Sequence, residues 1–155
     1  MPPTFTTILA EHISRSAKCP TVEGQDGMAV EGGKIYIAPG DYHMLVEQKG
    51  PNRVLRLNQD PPENFCRPSV DPMLRSLAPI YGRKLLTVIL TGMGHDGMEG
   101  GKVVVEKGGS VIAQDEATSV VWGMPGAAAQ SGLCSAVLPI DEVAPYIKKL
   151  ATKRG

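Results

Sequence analysis

The spacing of apolar residues changes character twice along the chain. At the start, Phe5, Ile8, Leu9 and Ile13 recur at helical intervals, which predicts a helix with those side chains on one face and Thr4 as its cap. Across residues 34–57 the pattern becomes short runs broken by turn formers. Ile35-Tyr36-Ile37 stops at Pro39-Gly40-Asp41, Met44-Leu45-Val46 stops at Lys49-Gly50-Pro51-Asn52, and Val54-Leu55-Arg56-Leu57 follows. Turns this short imply antiparallel strands. The rhythm then alternates. Ser69 precedes a helix with Val70, Met73, Leu74 and Leu77 on its buried stripe, ending at Gly82. Residues 85–90 form a nearly unbroken apolar run, the mark of a strand covered on both faces. A glycine-punctuated helix closing at Gly108-Gly109, a strand over 110–113, a small-residue helix from Pro125 to Gln130 and a strand over 136–138 come next. Asp141 is placed to cap a last helix carrying Val143, Ile147 and Leu150.

Alternation of this length predicts an α/β fold: a doubly wound, mostly parallel sheet with helices on both faces, plus an antiparallel hairpin segment. No internal repeat or linker interrupts residues 1–155, which read as a single domain. Composition narrows the function classes. Sixteen basic residues balance sixteen acidic ones, so no global field recruits nucleic acid or an anionic membrane. The basic tail Lys148, Lys149, Lys153 and Arg154 reads as a solvated helix end. No apolar run nears the about 20 residues of a membrane span, and no signal peptide opens the chain. Cys19, Cys66 and Cys134 lack CxxC spacing and read as reduced thiols of a cytoplasmic protein. His12, His43 and His95 are scattered without a ligand pattern, so neither a metal nor another cofactor is expected.

In parallel α/β sheets, sites form beyond the carboxyl ends of the strands. The richest such segment is Thr91-Gly92-Met93-Gly94-His95-Asp96-Gly97, directly after the most apolar strand. Its glycines permit sharp turns, and Asp96 falls where the dipole of the following helix favours a negative charge. The same segment satisfies G-x-G-x-x-G, with Asp115 near the spacing of a ribose-binding acid, so a dinucleotide site is a rival reading. Against it, the Asp96 carboxylate would stand where a pyrophosphate must approach. A second edge segment, residues 114–119, contains Ser119 and leads into Trp122-Gly123-Met124-Pro125. A third is Arg67-Pro68-Ser69-Val70-Asp71, in which Ser69 reads as a helix cap and Arg67 as a candidate clamp for a carboxylate-bearing substrate.

Taken in order, residues 35–44, 67–71, 89–97 and Gly123-Met124-Pro125 resemble the catalytic domain of CheB-type protein-glutamate methylesterases. The resemblance implies hydrolysis of methyl-glutamate esters, with deamidation of glutamine, on the cytoplasmic region of methylated chemoreceptors. It implies a Ser-His-Asp mechanism without cofactor. It puts the triad aspartate on Asp96 and an oxyanion-assisting backbone at Met93, with Arg67, Ser119 and Gly94 as substrate-binding candidates. The family's histidine directly precedes a Met-Pro-x-x-Phe-Thr segment, and this chain opens with Met1-Pro2-Pro3-Thr4-Phe5-Thr6. The serine belongs to a still earlier strand–loop–helix. The expectation is therefore a truncated catalytic domain that lacks its first strand–helix unit and is inactive alone. None of the three histidines substitutes: His12 is expected to pack beside Ile8, His43 falls in the antiparallel segment, and His95 is the immediate neighbour of Asp96. The alternative is a non-catalytic module that binds receptors or a partner, with a homodimer covering the exposed sheet edge.

Overall fold

A computed structural model describes residues 1–154, and the chain divides into two compact units, Met1–Ile80 and Tyr81–Gly155. The first contains α1 (Pro3–Ala17), β1 (Thr21–Glu23), β2 (Ile35–Ile37), β3 (His43–Lys49) and β4 (Asn52–Asn58), and α2 (Val70–Tyr81) runs to the boundary. The second contains β5 (Leu86–Ile89), α3 (Met98–Glu106), β6 (Ser110–Gln114), α4 (Met124–Gln130), β7 (Ala136–Leu138) and α5 (Ile140–Arg154). This is an α/β fold with parallel ladders β1-β2 and β5-β6-β7, helices on both sides, and an antiparallel hairpin β3-β4. No helix of the described residues is long and apolar enough to cross a membrane.

In the first unit, α1 turns a different face inward than its apolar periodicity predicts. Thr6 and Ala10 are buried, whereas Phe5, Ile8 and Leu9 are exposed and Ile13 is half-buried. The reason is polar. Thr6 Oγ1 lies 2.8 Å from Glu23 Oε2 and accepts the Gly40 N–H at 2.8 Å, while Thr7 Oγ1 donates to Glu23 Oε1 at 2.6 Å. A half-buried carboxylate that engages two hydroxyls outweighs an apolar stripe with nothing in the unit to cover it. His12 is therefore exposed rather than packed. Thr4 lies inside the helix, whose N-cap position is Pro2, so it is not the cap.

The short run 35–37 is a strand, but it does not join the antiparallel set. β2 pairs in parallel with β1, Thr21 opposite Ile35 and Glu23 opposite Ile37. Gly40 is wedged so tightly that a Cβ there would lie 2.5 Å from the Met1 carbonyl oxygen, and Asp41 adopts φ 70°. That turn leads away from a hairpin. The crossover from β1 instead runs beside β4, with the Val30 N–H on Arg53 O at 2.8 Å. β3 and β4 form the expected hairpin, His43 opposite Asn58 through Lys49 opposite Asn52. Met44, Val46 and Leu55 on one face of the hairpin and Val54 on the other are buried, as are Leu74 and Ala78 of α2.

The loop between β4 and α2 is held by ionic and ring contacts. Arg67 donates from Nε and Nη2 to Asp41 Oδ1 at 3.1 and 2.6 Å, and from Nη1 to Gln59 O at 3.1 Å. Gln59 adds a bond to Asp41 Oδ2 at 3.1 Å. His43 is 1% exposed. Its Nδ1 accepts the Ser69 N–H at 3.2 Å, which leaves the ring proton on Nε2, 3.0 Å from Pro61 O.

In the second unit β6 is central and almost wholly buried through Val111, Ile112, Ala113 and Gln114. α3 and α4 pack on β6, and α5 packs on β7. Gly109 lets β6 enter beneath α3: a Cβ there would meet Val104 Cγ1 at 2.7 Å and Leu85 O at 2.9 Å. α5 begins at Ile140, so Asp141 sits in its first turn rather than capping it. The Ile140 N–H is taken by Thr118 Oγ1 at 3.1 Å.

The Arg67 hydrogen bond, helped by the guanidinium charge, holds the Asp41 carboxyl below its ordinary 3.8. A carboxyl whose folded value is depressed contributes stability above its unfolded value and loses it as pH falls through the folded one. Arg67→Gln is therefore expected to lower the urea midpoint at neutral pH, with the gap from the parent chain closing below about pH 4. A gap that stays constant across that range would show that the pair does not carry the effect.

Candidate active site

The carboxyl edge of β5-β6-β7 is built from the loops at residues 90–97 and 115–123 and the start of α5. One side chain ties them. Gln114 closes the apolar run of β6 with a buried carboxamide, 2% exposed. Its Oε1 accepts the Thr91 N–H at 2.8 Å, and its Nε2 donates to Thr118 O at 2.8 Å and Thr118 Oγ1 at 3.2 Å. Thr118 carries the tie onward. Its hydroxyl donates to Asp115 Oδ1 at 2.7 Å and accepts the Ile140 N–H. With one donor and two acceptor contacts, that hydroxyl has no hydrogen-bonding capacity left.

The two longer loops also meet directly. Thr91 Oγ1 lies 2.9 Å from both Val121 O and Val121 N, and Gly92 bridges in parallel to Trp122. The Met124 N–H donates to Gly92 O at 2.8 Å. This approach requires glycine on the second loop: a Cβ at Gly123 would sit 2.8 Å from Gly92 O and Gly94 N. Trp122 seals the base, its Nε1 donating to Gln114 O at 3.0 Å while its ring lies over Gly126.

Within this frame the chain turns twice through left-handed glycines, Gly94 (φ 95°) and Gly97 (φ 98°), before α3 begins. The turn sends neighbouring side chains apart. Asp96 is 6% exposed, His95 is exposed, and Met93 is 83% exposed. Asp96 is thus a buried carboxylate at a strand mouth beside a helix N-terminus, where the helix dipole favours its negative charge. Of the residues singled out from sequence, Met93, Gly94, Asp96 and Ser119 all lie on this edge. Ser119 Oγ donates to Asp115 O at 2.7 Å. Arg67 lies in the first unit, its donors engaged by Asp41 and Gln59. Sequence reasoning named residues 114–119 only as edge loop and missed the clasp of Gln114 and Thr118. The available signal was a polar residue ending an otherwise buried strand. Among the described residues no group of His, Cys, Asp and Glu is arranged to hold a metal ion.

Replacing Gln114 by methionine keeps the volume and removes all three side-chain hydrogen bonds. Loss of these bonds to the exposed residues Thr91 and Thr118 is expected to cost about 1 kcal/mol each, read as a lower urea midpoint. Amide exchange at residues 91–97 should rise with it. Unchanged exchange there would show that the loop is held by other means.

Comparison with known proteins identifies the family and the fold. The family model described as CheB methylesterase matches residues 1–147. The chain is 68% identical over 154 residues to the protein-glutamate methylesterase/protein-glutamine glutaminase 1 of Paramagnetospirillum magneticum, covering 99% of this chain and 40% of that protein. It is 64% identical to the protein of the same name from Rhodospirillum rubrum, with the same coverage. The chain thus spans about two fifths of the length of the curated relatives it matches. The crystal structure of the Thermotoga maritima CheB methylesterase catalytic domain superposes with a TM-score of 0.93 at 39% identity, covering 97% of this chain and 79% of that one. With a strand-mouth aspartate set in a glycine-turned loop and a family match running almost from end to end, the chain belongs to the CheB methylesterase family.

Proposed function

We propose that residues 1–155 form part of a catalytic domain that hydrolyses glutamate methyl esters, and deamidates glutamine, on the cytoplasmic region of chemoreceptors. The observation that carries this reading is Asp96, a buried carboxylate at the mouth of β5 in a family of methylesterases. In such a site the aspartate holds a histidine in the tautomer that takes the serine proton, then stabilises the imidazolium that forms. The backbone at Met93, beside Gly94, serves the oxyanion that develops on the ester carbonyl. Ser119 shapes the neighbouring wall, and Arg67 acts by positioning the loop ahead of α2. Work in the cytoplasm, without metal, cofactor, nucleic acid or membrane insertion, fits this assignment.

The nucleophile and the imidazole come, on this reading, from polypeptide beyond these 155 residues. The histidines inside the chain are unsuited to the role. Both ring nitrogens of His43 are engaged in the first unit, His12 stands on the exposed face of α1, and His95 diverges from Asp96 on one tight turn. The purified chain alone is expected to release no methanol from methylated receptor. A chimera carrying the preceding region of the Paramagnetospirillum magneticum relative should release it, and Asp96→Asn should slow that chimera by about 10⁴-fold. Methanol release by the unfused chain would sink the proposal.

A second reading, a non-catalytic receptor- or partner-binding module, draws on α1, whose Phe5, Ile8 and Leu9 stand 60%, 46% and 41% exposed in the first unit. An uncovered apolar stripe of this kind favours association, here a homodimer. Light scattering of the purified chain is expected to give the dimer mass, reduced to the monomer by Phe5→Ser with Leu9→Ser. A monodisperse monomer in the parent chain rules the dimer out.

A further inference from the structure

The edge that carries Asp96 has a second character that its triad role does not use. Loops 90–97 and 114–123 expose apolar side chains where a polar rim is expected: Val120 is 91% exposed, Met93 83%, Leu90 44% and Val121 39%. They are drawn together by the backbone, because Gly92, next to Met93, donates its N–H to Val121 O at 3.1 Å. The charges in the same loops are of one sign. They contain Asp96, Asp115 and Glu116, and neither lysine nor arginine. A free carboxylate entering here would meet apolar surface that cannot solvate it and carboxylates that repel it. A neutral side chain ending in a methyl group meets neither obstacle.

We propose that this rim is the element that distinguishes substrate from product, admitting the uncharged γ-methyl glutamyl side chain and excluding the γ-carboxylate. The inference rests on the reading of this edge as the ester site. Hydrolysis converts a neutral ester and water into a carboxylate, methanol and a proton. The charge created by the reaction is then what drives the product out. Glutamine, also uncharged, is admitted by the same rule, and a receptor segment presenting either neutral side chain is the occupant that the charge pattern fits.

The test uses the 155-residue chain itself and two acetylated, amidated peptides of one neutral sequence, carrying either γ-methyl glutamate or glutamate. Trp122, the sole tryptophan, reports from inside the edge by fluorescence, and amide shifts of residues 90–97 and 115–123 give an independent readout. The ester peptide is expected to half-saturate at about ten-fold lower concentration than the glutamate peptide at neutral pH. Met93→Lys with Val120→Lys, at two exposed positions where far-UV circular dichroism checks the fold, should reverse that order. Equal or tighter binding of the glutamate peptide by the parent chain, or an order unmoved in the double variant, overturns the inference and leaves the ester-site reading standing. No response to either peptide in both readouts overturns the two together.

Discussion

The second unit depends on one buried primary amide. A strand that ends in solvent leaves its loops to find their own partners, and the loops after β5 and β6 are rich in glycine and short polar residues that hold little by themselves. Gln114 removes that freedom. Its oxygen takes a backbone N–H from one loop and its nitrogen serves a carbonyl and a hydroxyl on the other. Each bond has a net worth of about 1 kcal/mol, and because the Gln114 carboxamide itself is buried, leaving its own oxygen or nitrogen without a partner costs more than a bond gains. The clasp thereby selects one arrangement of both loops over the alternatives.

Sterics then narrow that arrangement further. With Gly123 pressed against Gly92 and Gly94, and Trp122 against Gly126, the loops approach to a distance that no side chain tolerates. The hydrogen bonds of Thr91 and Gly92 to Val121 follow from that proximity. Asp96 acquires its position as a consequence of this packing. It is carried on a turn whose near end is bonded to the neighbouring loop and whose far end is the first turn of α3. Preorganisation of a charged group by backbone geometry is the arrangement that electrostatic catalysis requires, since nothing need reorganise when charge develops.

The first unit shows the complementary use of similar chemistry. A histidine, an arginine and an aspartate occur together in that unit, as His43, Arg67 and Asp41, with Arg67 bonded to Asp41, and these hydrogen bonds are structural. The imidazole bridges Ser69 and Pro61, and the guanidinium joins Asp41 to the loop ahead of α2. Residue type alone would rank these among the functional candidates. The two engaged ring nitrogens of His43 leave it no hydrogen bond for a ligand, and Arg67 spends most of its donors within the first unit.

The alternating run from residue 69 onward was legible from periodicity because each element there buries a face against its sequence neighbours. β7 coincides with its expected span, and β5, β6 and α4 fall within a residue at each end. The glycine turn after β5 was legible too, because glycines and a carboxylate directly after a nearly unbroken apolar strand mark a sharp strand-to-helix turn. The inward face of α1 was not. Periodicity records which residues are apolar, and Thr6 turned inward because Glu23, remote in the chain, offered it a partner. β2 was recognised as a strand yet assigned the wrong neighbour, since its partner β1 has a single apolar residue, Val22, and announces nothing. The clasp of Gln114 likewise joins residues more than twenty positions apart. Local pattern determined most of the helices and strands, though not β1, and where a charged turn follows a buried strand, because those depend on near neighbours. Which polar groups meet across the fold was decided only by tertiary structure, because hydrogen bonds between distant segments leave no period in the chain.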